Sequence, residues 1–98
     1  MIIPFAFEEL QVYQRALDFS VSVIKIIDEI EAPRKHYRLF EQLEASSTSV
    51  VSNISEGKGR FSKNEFKQYL YIARGSLYET LTRLQIFKKL EWLNEKAY

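Results

Sequence analysis

The chain contains no cysteine, two prolines, three glycines and one histidine in 98 residues. Without cysteine there is neither a disulfide nor a thiolate metal ligand, and a reducing interior such as the cytoplasm is compatible. So few prolines and glycines leave few points at which regular structure must stop, and long helices are expected. A metal site at the single histidine, His36, would need carboxylates or ligands from other subunits, and the Glu-x-x-His pairs of di-iron bundles are missing. A solvent-exposed loop position is the expectation for His36. There is no P-loop, dinucleotide glycine fingerprint or nucleophile elbow, and no cofactor is expected. No stretch approaches the roughly 20 apolar residues of a membrane span. The opening Met1-Ile-Ile-Pro-Phe-Ala-Phe7 has no basic n-region and is short for a signal peptide. The expectation is a cytoplasmic protein without a membrane segment.

What is present is 46% apolar and 28% charged, the balance of a globular domain. Residues 1–98 are enough for one core and one domain. A net charge of +1 argues against indiscriminate coating of nucleic acid. The charge is uneven: residues 1–33 sum to −4, residues 34–67 to +3 and residues 68–98 to +2. An anionic partner would therefore dock on the middle of the chain.

Apolar periodicity predicts helices over about 8–30, 37–56 and 63–90. In the first, Leu10, Tyr13, Leu17, Val21, Ile24 and Ile27 recur at three and four; Phe19, Val23, Ile26 and Ile30 widen this stripe beyond what one intramolecular partner covers. That excess implies self-assembly. Pro33 closes the segment. The second helix turns Leu39, Leu43, Val50 and Ile54 inward, and the small residues Ala45-Ser-Ser-Thr-Ser49 predict a tight contact with a neighbouring helix. Gly57 is expected as a left-handed C-cap. Ser62 and Glu65 form a capping box for the third helix, with Phe61 and Phe66 as the flanking staple. Its stripe runs Phe66, Tyr69, Leu70, Ala73, Leu77, Leu81, Leu84 and Phe87, and Gly75 inside it predicts close packing. Asn94 resembles the N-cap of a fourth helix, so the expected fold is all-α: an antiparallel up-down four-helix bundle whose fourth helix is missing or truncated in this chain.

Phe7-Glu-Glu-Leu-Gln-Val-Tyr13, Gln42-Leu43, Ser49-Val50, Asn53-Ile-Ser-Glu-Gly-Lys-Gly-Arg60 and Gly75-Ser-Leu-Tyr-Glu79 resemble a four-helix-bundle family often encoded in intervening sequences of bacterial 23S rRNA genes. That family is similar in turn to the accessory variability proteins of diversity-generating retroelements. The resemblance implies an antiparallel four-helix bundle that assembles as a homopentamer. For the retroelement branch it also implies a basic surface that binds nucleic acid and a reverse transcriptase. Where family members commonly carry arginines after the Gln-Leu pair, this chain has Glu44 and Ala45, which removes positive charge from that surface.

Two groups of residues are candidate sites. The polar motif Ser49, Ser52, Asn53, Glu56, Gly57 and Gly59, with Glu79 and Arg74 as possible completions, reads as a structural network joining helix, loop and third helix. Its functional alternative is a small ligand-binding or hydrolytic site at Asn53 and Glu56, although a carboxylate beside an amide is a weak enzyme signal. The basic clusters Lys58, Arg60, Lys63, Lys67 and Arg34, Lys35, Arg38 read as phosphate contacts or as ordinary solvated side chains. Phe5, Phe7, Tyr13 and Phe19 could stack on bases, but at helical spacing they read as core or subunit interface. The leading expectation is a non-enzymatic, self-assembling bundle that acts as a scaffold for RNA or DNA, with a polymerase or ribosomal particle as protein partner. The alternative is a protein–protein adaptor that binds no nucleic acid.

Overall fold

A computed structural model describes residues 10–32 and 34–93, with Arg34 described by its backbone alone. Phe5, Phe7, the expected first turn at residues 8–9, Pro33 and the expected fourth helix near Asn94 lie outside the described residues. The described residues are all-helical: α1 (Gln11–Glu29), a 3-10 turn (Arg34–His36), α2 (Tyr37–Lys58) and α3 (Lys63–Lys89), with no strand among them. None of these helices is long and apolar enough to cross a membrane.

The α2–α3 turn is fixed by local chemistry. The Glu65 amide donates to Ser62 Oγ at 3.1 Å and the Phe66 amide to the Ser62 carbonyl at 3.2 Å, so Ser62 caps α3. The staple does not form. Phe61 is as exposed as in an extended chain (107%), while Phe66 turns inward against Gly57.

Gly57 is not a left-handed cap, because no glycine has positive φ and α2 continues to Lys58. Its missing side chain answers a different need. A Cβ there would stand 2.5 Å from Tyr69 Cβ and 3.0 Å from Phe66 Cδ1, so glycine lets α3 cross α2 closely. Gly75 corrects a second expectation, since nothing lies within 4 Å of a Cβ built there. It sits on the exposed face of α3, not in a close contact.

The end of α3 carries no glycine signal. Glu91 takes the left-handed conformation (φ 62°), the Glu91 amide bonds the Lys88 carbonyl at 3.0 Å, and the Trp92 amide bonds the Phe87 carbonyl at 2.9 Å. This is a Schellman motif, and the usual apolar contact across it is the Phe87–Trp92 ring pair, with centroids 5.1 Å apart.

Helix α2 lies between α1 and α3, which make no close backbone approach to each other. Two apolar clusters sit along it. Val23, Leu43, Leu84, Phe87 and Leu93 gather at one end, and Ala16, Val50, Ile54 and Ala73 at the other. Between them runs a belt of buried hydroxyls: Ser20, Ser46, Ser47 and Thr80. Ser20 Oγ donates to the Ser47 carbonyl at 2.7 Å, tying α1 to α2. The small residues of α2 thus face both neighbours, as a tight contact requires.

The inward line of α1 differs from the expected one. Ala16, Ser20 and Val23 are buried, whereas Leu17 and Val21 are exposed. Small residues allow α1 to approach the serine belt, and this rotates the bulkier stripe outward. Leu81 of α3 is likewise exposed.

Candidate functional site

The polar motif begins in the serine-rich half of α2. Asn53 Nδ2 donates to the Ser49 carbonyl at 2.8 Å and lies 2.9 Å from Ser49 Oγ. Ser49 Oγ meets Ser76 Oγ of α3 at 2.8 Å. One turn towards the N-terminus of α2, Thr80 Oγ1 stands 2.8 Å from both Ser46 Oγ and the Ser76 carbonyl, while Ser46 Oγ bonds the Leu43 carbonyl at 3.2 Å. The result is a hydroxyl seam in which Ser46, Ser49 and Asn53 face Ser76 and Thr80. No buried side-chain nitrogen or oxygen among the described residues lacks a partner. Two hydroxyl pairs cross between the helices, Ser49–Ser76 and Ser46–Thr80, and both meet in only one register of α2 against α3.

Glu56 does not join Asn53. It is exposed and pairs with Arg60 at 3.0 Å. Arg60 also donates to Tyr69 Oη at 2.5 Å, with its guanidinium 5.0 Å from the Tyr69 ring centre. Glu56, Arg60 and Tyr69 therefore form a strap across the α2–α3 turn. Both members of the ion pair are well exposed, so their direct contribution to stability is about 0–1 kcal/mol. A shallow polar depression lined by Ser55, Glu56, Gly59 and Arg60 lies on this face, and Asn53 does not line it. Ser52 is exposed and its hydroxyl returns to the Thr48 carbonyl at 3.0 Å. Glu79 belongs to a third, separate group. It pairs with Arg83 at 3.4 Å, and Arg83 donates to the Gln42 carbonyl at 3.1 Å. The residues expected to form one network form three.

Lys58, Arg60, Lys63 and Lys67 are all exposed and share the α2–α3 end. Three aromatic rings order the cations there. Lys58 Nζ lies 5.6 Å from the Phe66 centroid, and Lys67 Nζ and the Arg74 guanidinium lie 6.0 and 5.1 Å from that of Tyr71. Ring faces attract cations electrostatically, and Tyr71 here holds Lys67 and Arg74 beside one another. Tyr69 was expected in the apolar stripe of α3 and Arg74 in the polar motif; the signal that could have placed Tyr71 and Arg74 beside Lys67 is their four- and three-residue spacing on one helix face.

Lys35 and Arg38, with the backbone of Arg34, lie at the opposite end of α2. At 1.5 Å per residue the length of α2 puts the two basic clusters about 30 Å apart, so they make two surfaces. Glu44 and Ala45 are exposed between them. His36 is half-buried and not freely exposed, its ring 5.1 Å from that of Trp92. Among the described residues no three His, Asp or Glu side chains come together in a way that would hold a metal ion.

An apolar groove adjoins the basic surface of the α2–α3 end, with Arg74 on its edge. It has a volume of about 380 Å³ and runs between α1 and α3 over the floor of α2, lined by Val12, Ala16, Phe19, Val50, Ile54, Leu70, Ala73 and Leu77. Arg15 of α1 and Arg74 of α3 flank it.

Fold and site together define a helical domain with a hydroxyl seam in its interior and an aromatic-ordered basic end. Residues 8–98 match the model of the 23S rRNA-intervening sequence protein family, and the chain belongs to that family. No curated protein matches the chain.

Proposed function

We propose that the protein is a non-enzymatic, self-assembling helical scaffold that binds nucleic acid through the α2–α3 end. The observation that carries this reading is the set of exposed cations there, Lys58, Lys67 and Arg74, held on the rings of Phe66 and Tyr71. Prior ordering lowers the entropy that each side chain loses on meeting a phosphate.

Self-assembly completes the proposal. Leu17 and Val21 form an exposed apolar strip on α1 (37% and 43%), on the flank that the groove does not use. A homo-oligomer, five copies by the family resemblance, would repeat the basic end around one rim and so raise its local potential. The groove between α1 and α3 has the place that the fourth member of an antiparallel bundle would take. Reverse transcriptase or ribosomal proteins are the partner classes such a rim would serve.

The test is fluorescence anisotropy of labelled RNA and DNA across a salt series. Wild-type protein is expected to bind with a steep salt dependence. Lys58→Glu/Lys63→Glu should lower affinity at least tenfold and reduce the salt slope by about two, one per lost phosphate contact. Arg60 is a poor control, because its replacement also removes the strap to Glu56 and Tyr69. Equal binding by the variant would remove the basic end from the account. Light scattering is expected to give a mass of several subunits, and Leu17→Lys/Val21→Lys a smaller one; a monomeric wild type at micromolar concentration would eliminate assembly.

A further inference from the structure

Phe61 is the most exposed large apolar side chain among the described residues, and it stands in the middle of the basic end. The failed staple explains how it came free. Phe66, its sequence partner, lies against Gly57 on one side and beneath the Lys58 ammonium on the other. The backbone around Phe61 is nevertheless held on both flanks. The Arg60 amide bonds the Gly57 carbonyl at 3.1 Å, and Ser62 caps α3 through the Glu65 amide. The ring is therefore presented from a fixed turn, with Lys58 and Lys63 close in sequence on either side. Arg60, next to it, is turned back onto Tyr69 and Glu56.

We propose that Phe61 is a base-stacking residue that selects unpaired RNA over duplex RNA. This rests on the nucleic-acid reading above and adds to it what kind of nucleic acid the end accepts. Cations alone bind any phosphate backbone, contact no base, and if anything favour the denser charge of a duplex. A free aromatic face adds stacking with a base, and only a base outside a helical stack offers a free face in return. RNA presents such bases in its loops and bulges. An anionic membrane surface fits less well, since it is engaged by a broad apolar face with basic flanks, and here one ring projects from a turn whose neighbours are glycine, serine and cations.

The experiment compares an RNA hairpin carrying 2-aminopurine in its loop with a fully paired RNA duplex of equal length. Wild-type protein, Phe61→Ala, Phe61→Tyr and Lys58→Glu/Lys63→Glu are titrated against each. Wild type is expected to bind the hairpin roughly tenfold more tightly than the duplex, with quenching of the 2-aminopurine on stacking. Phe61→Ala should lose that preference and the quenching while keeping duplex affinity and the salt slope, since no phosphate contact is removed. Phe61→Tyr should restore both. Because the ring touches nothing in the fold, the thermal midpoint of Phe61→Ala should match wild type. If wild type binds but Phe61→Ala binds the hairpin equally well, or loses hairpin and duplex alike, the stacking role is wrong while the basic end stands. If wild type binds neither RNA, both readings fall. Preference for single-stranded DNA over the RNA hairpin would overturn the assignment to RNA. Phe61-dependent binding to phosphatidylglycerol vesicles, with RNA binding unaffected by the ring, would assign Phe61 to a lipid surface instead.

Discussion

Phe87→Ala is expected to destabilise the protein by about 3–5 kcal/mol, the usual cost of truncating a buried aromatic residue. Phe87 is 1% exposed and belongs to the cluster that holds Val23 of α1, Leu43 of α2 and Leu84 of α3. It also closes the end of α3. Its ring packs edge-on against Phe40 with centroids 5.5 Å apart and against Trp92 at 5.1 Å, across the Schellman turn. Truncation would thus open a cavity where three helices meet and loosen the chain reversal after α3. A domain of this length has a total stability of roughly 5–15 kcal/mol, so the loss is a large fraction of it. Urea unfolding followed by far-ultraviolet circular dichroism should show the midpoint falling by more than about 1 M at an m-value of about 1–3 kcal/mol/M. A change below about 1 kcal/mol would mean that this cluster is not where the helices are held together.

Gly57→Ala is the second large effect, and Gly75→Ala is its contrast. In an exposed helix interior, glycine to alanine stabilises by up to about 1 kcal/mol. Gly75 meets that condition, with no atom within 4 Å of an added Cβ. At Gly57 the added methyl would lie 2.5 Å from Tyr69 Cβ. The obstacle is an atom next to the backbone and cannot swing away, so α3 itself would have to retreat. Overpacking of this kind costs about 1–3 kcal/mol, and the retreat would also stretch the Arg60–Tyr69 bond and the Ser49–Ser76 pair. Thermal melts of the two variants should therefore move in opposite directions. A Gly57→Ala protein as stable as wild type would show that α2 and α3 do not cross so closely, and a destabilised Gly75→Ala would show that something covers that face in the assembled protein.

Three helices and most of their ends were legible in the residues. The Ser62–Glu65 box set the start of α3 where the structure has it, and the small-residue run in α2 marked a close contact that the structure resolves into two, Ser46 towards α3 and Ser47 towards α1. The inward face of α1 was misread because Leu17 and Val21 are more hydrophobic than Ala16 and Ser20, and periodicity weights hydrophobicity where packing rewards close approach. Gly57 was misread for a related reason: a glycine near a helix end signals a cap far more often than a crossing. At the candidate site, Lys58, Arg60, Lys63 and Lys67 were found by charge alone. The rings that order them, and the separation of Glu79 from Asn53 and Glu56, were not, since these depend on which side of α3 faces α2.

The sequence by itself determined the helical class, the α2–α3 turn and the presence of a basic segment there. These follow from interactions within three or four residues, namely caps, propensity and the spacing of apolar side chains. Only the tertiary structure decided the pairing of Ser49 with Ser76 and of Ser46 with Thr80, 27 and 34 residues apart. It also decided the crossing at Gly57 and the release of Phe61 from its staple. Those outcomes depend on how closely two helices approach, a distance set by the sizes of side chains on both and written in neither alone.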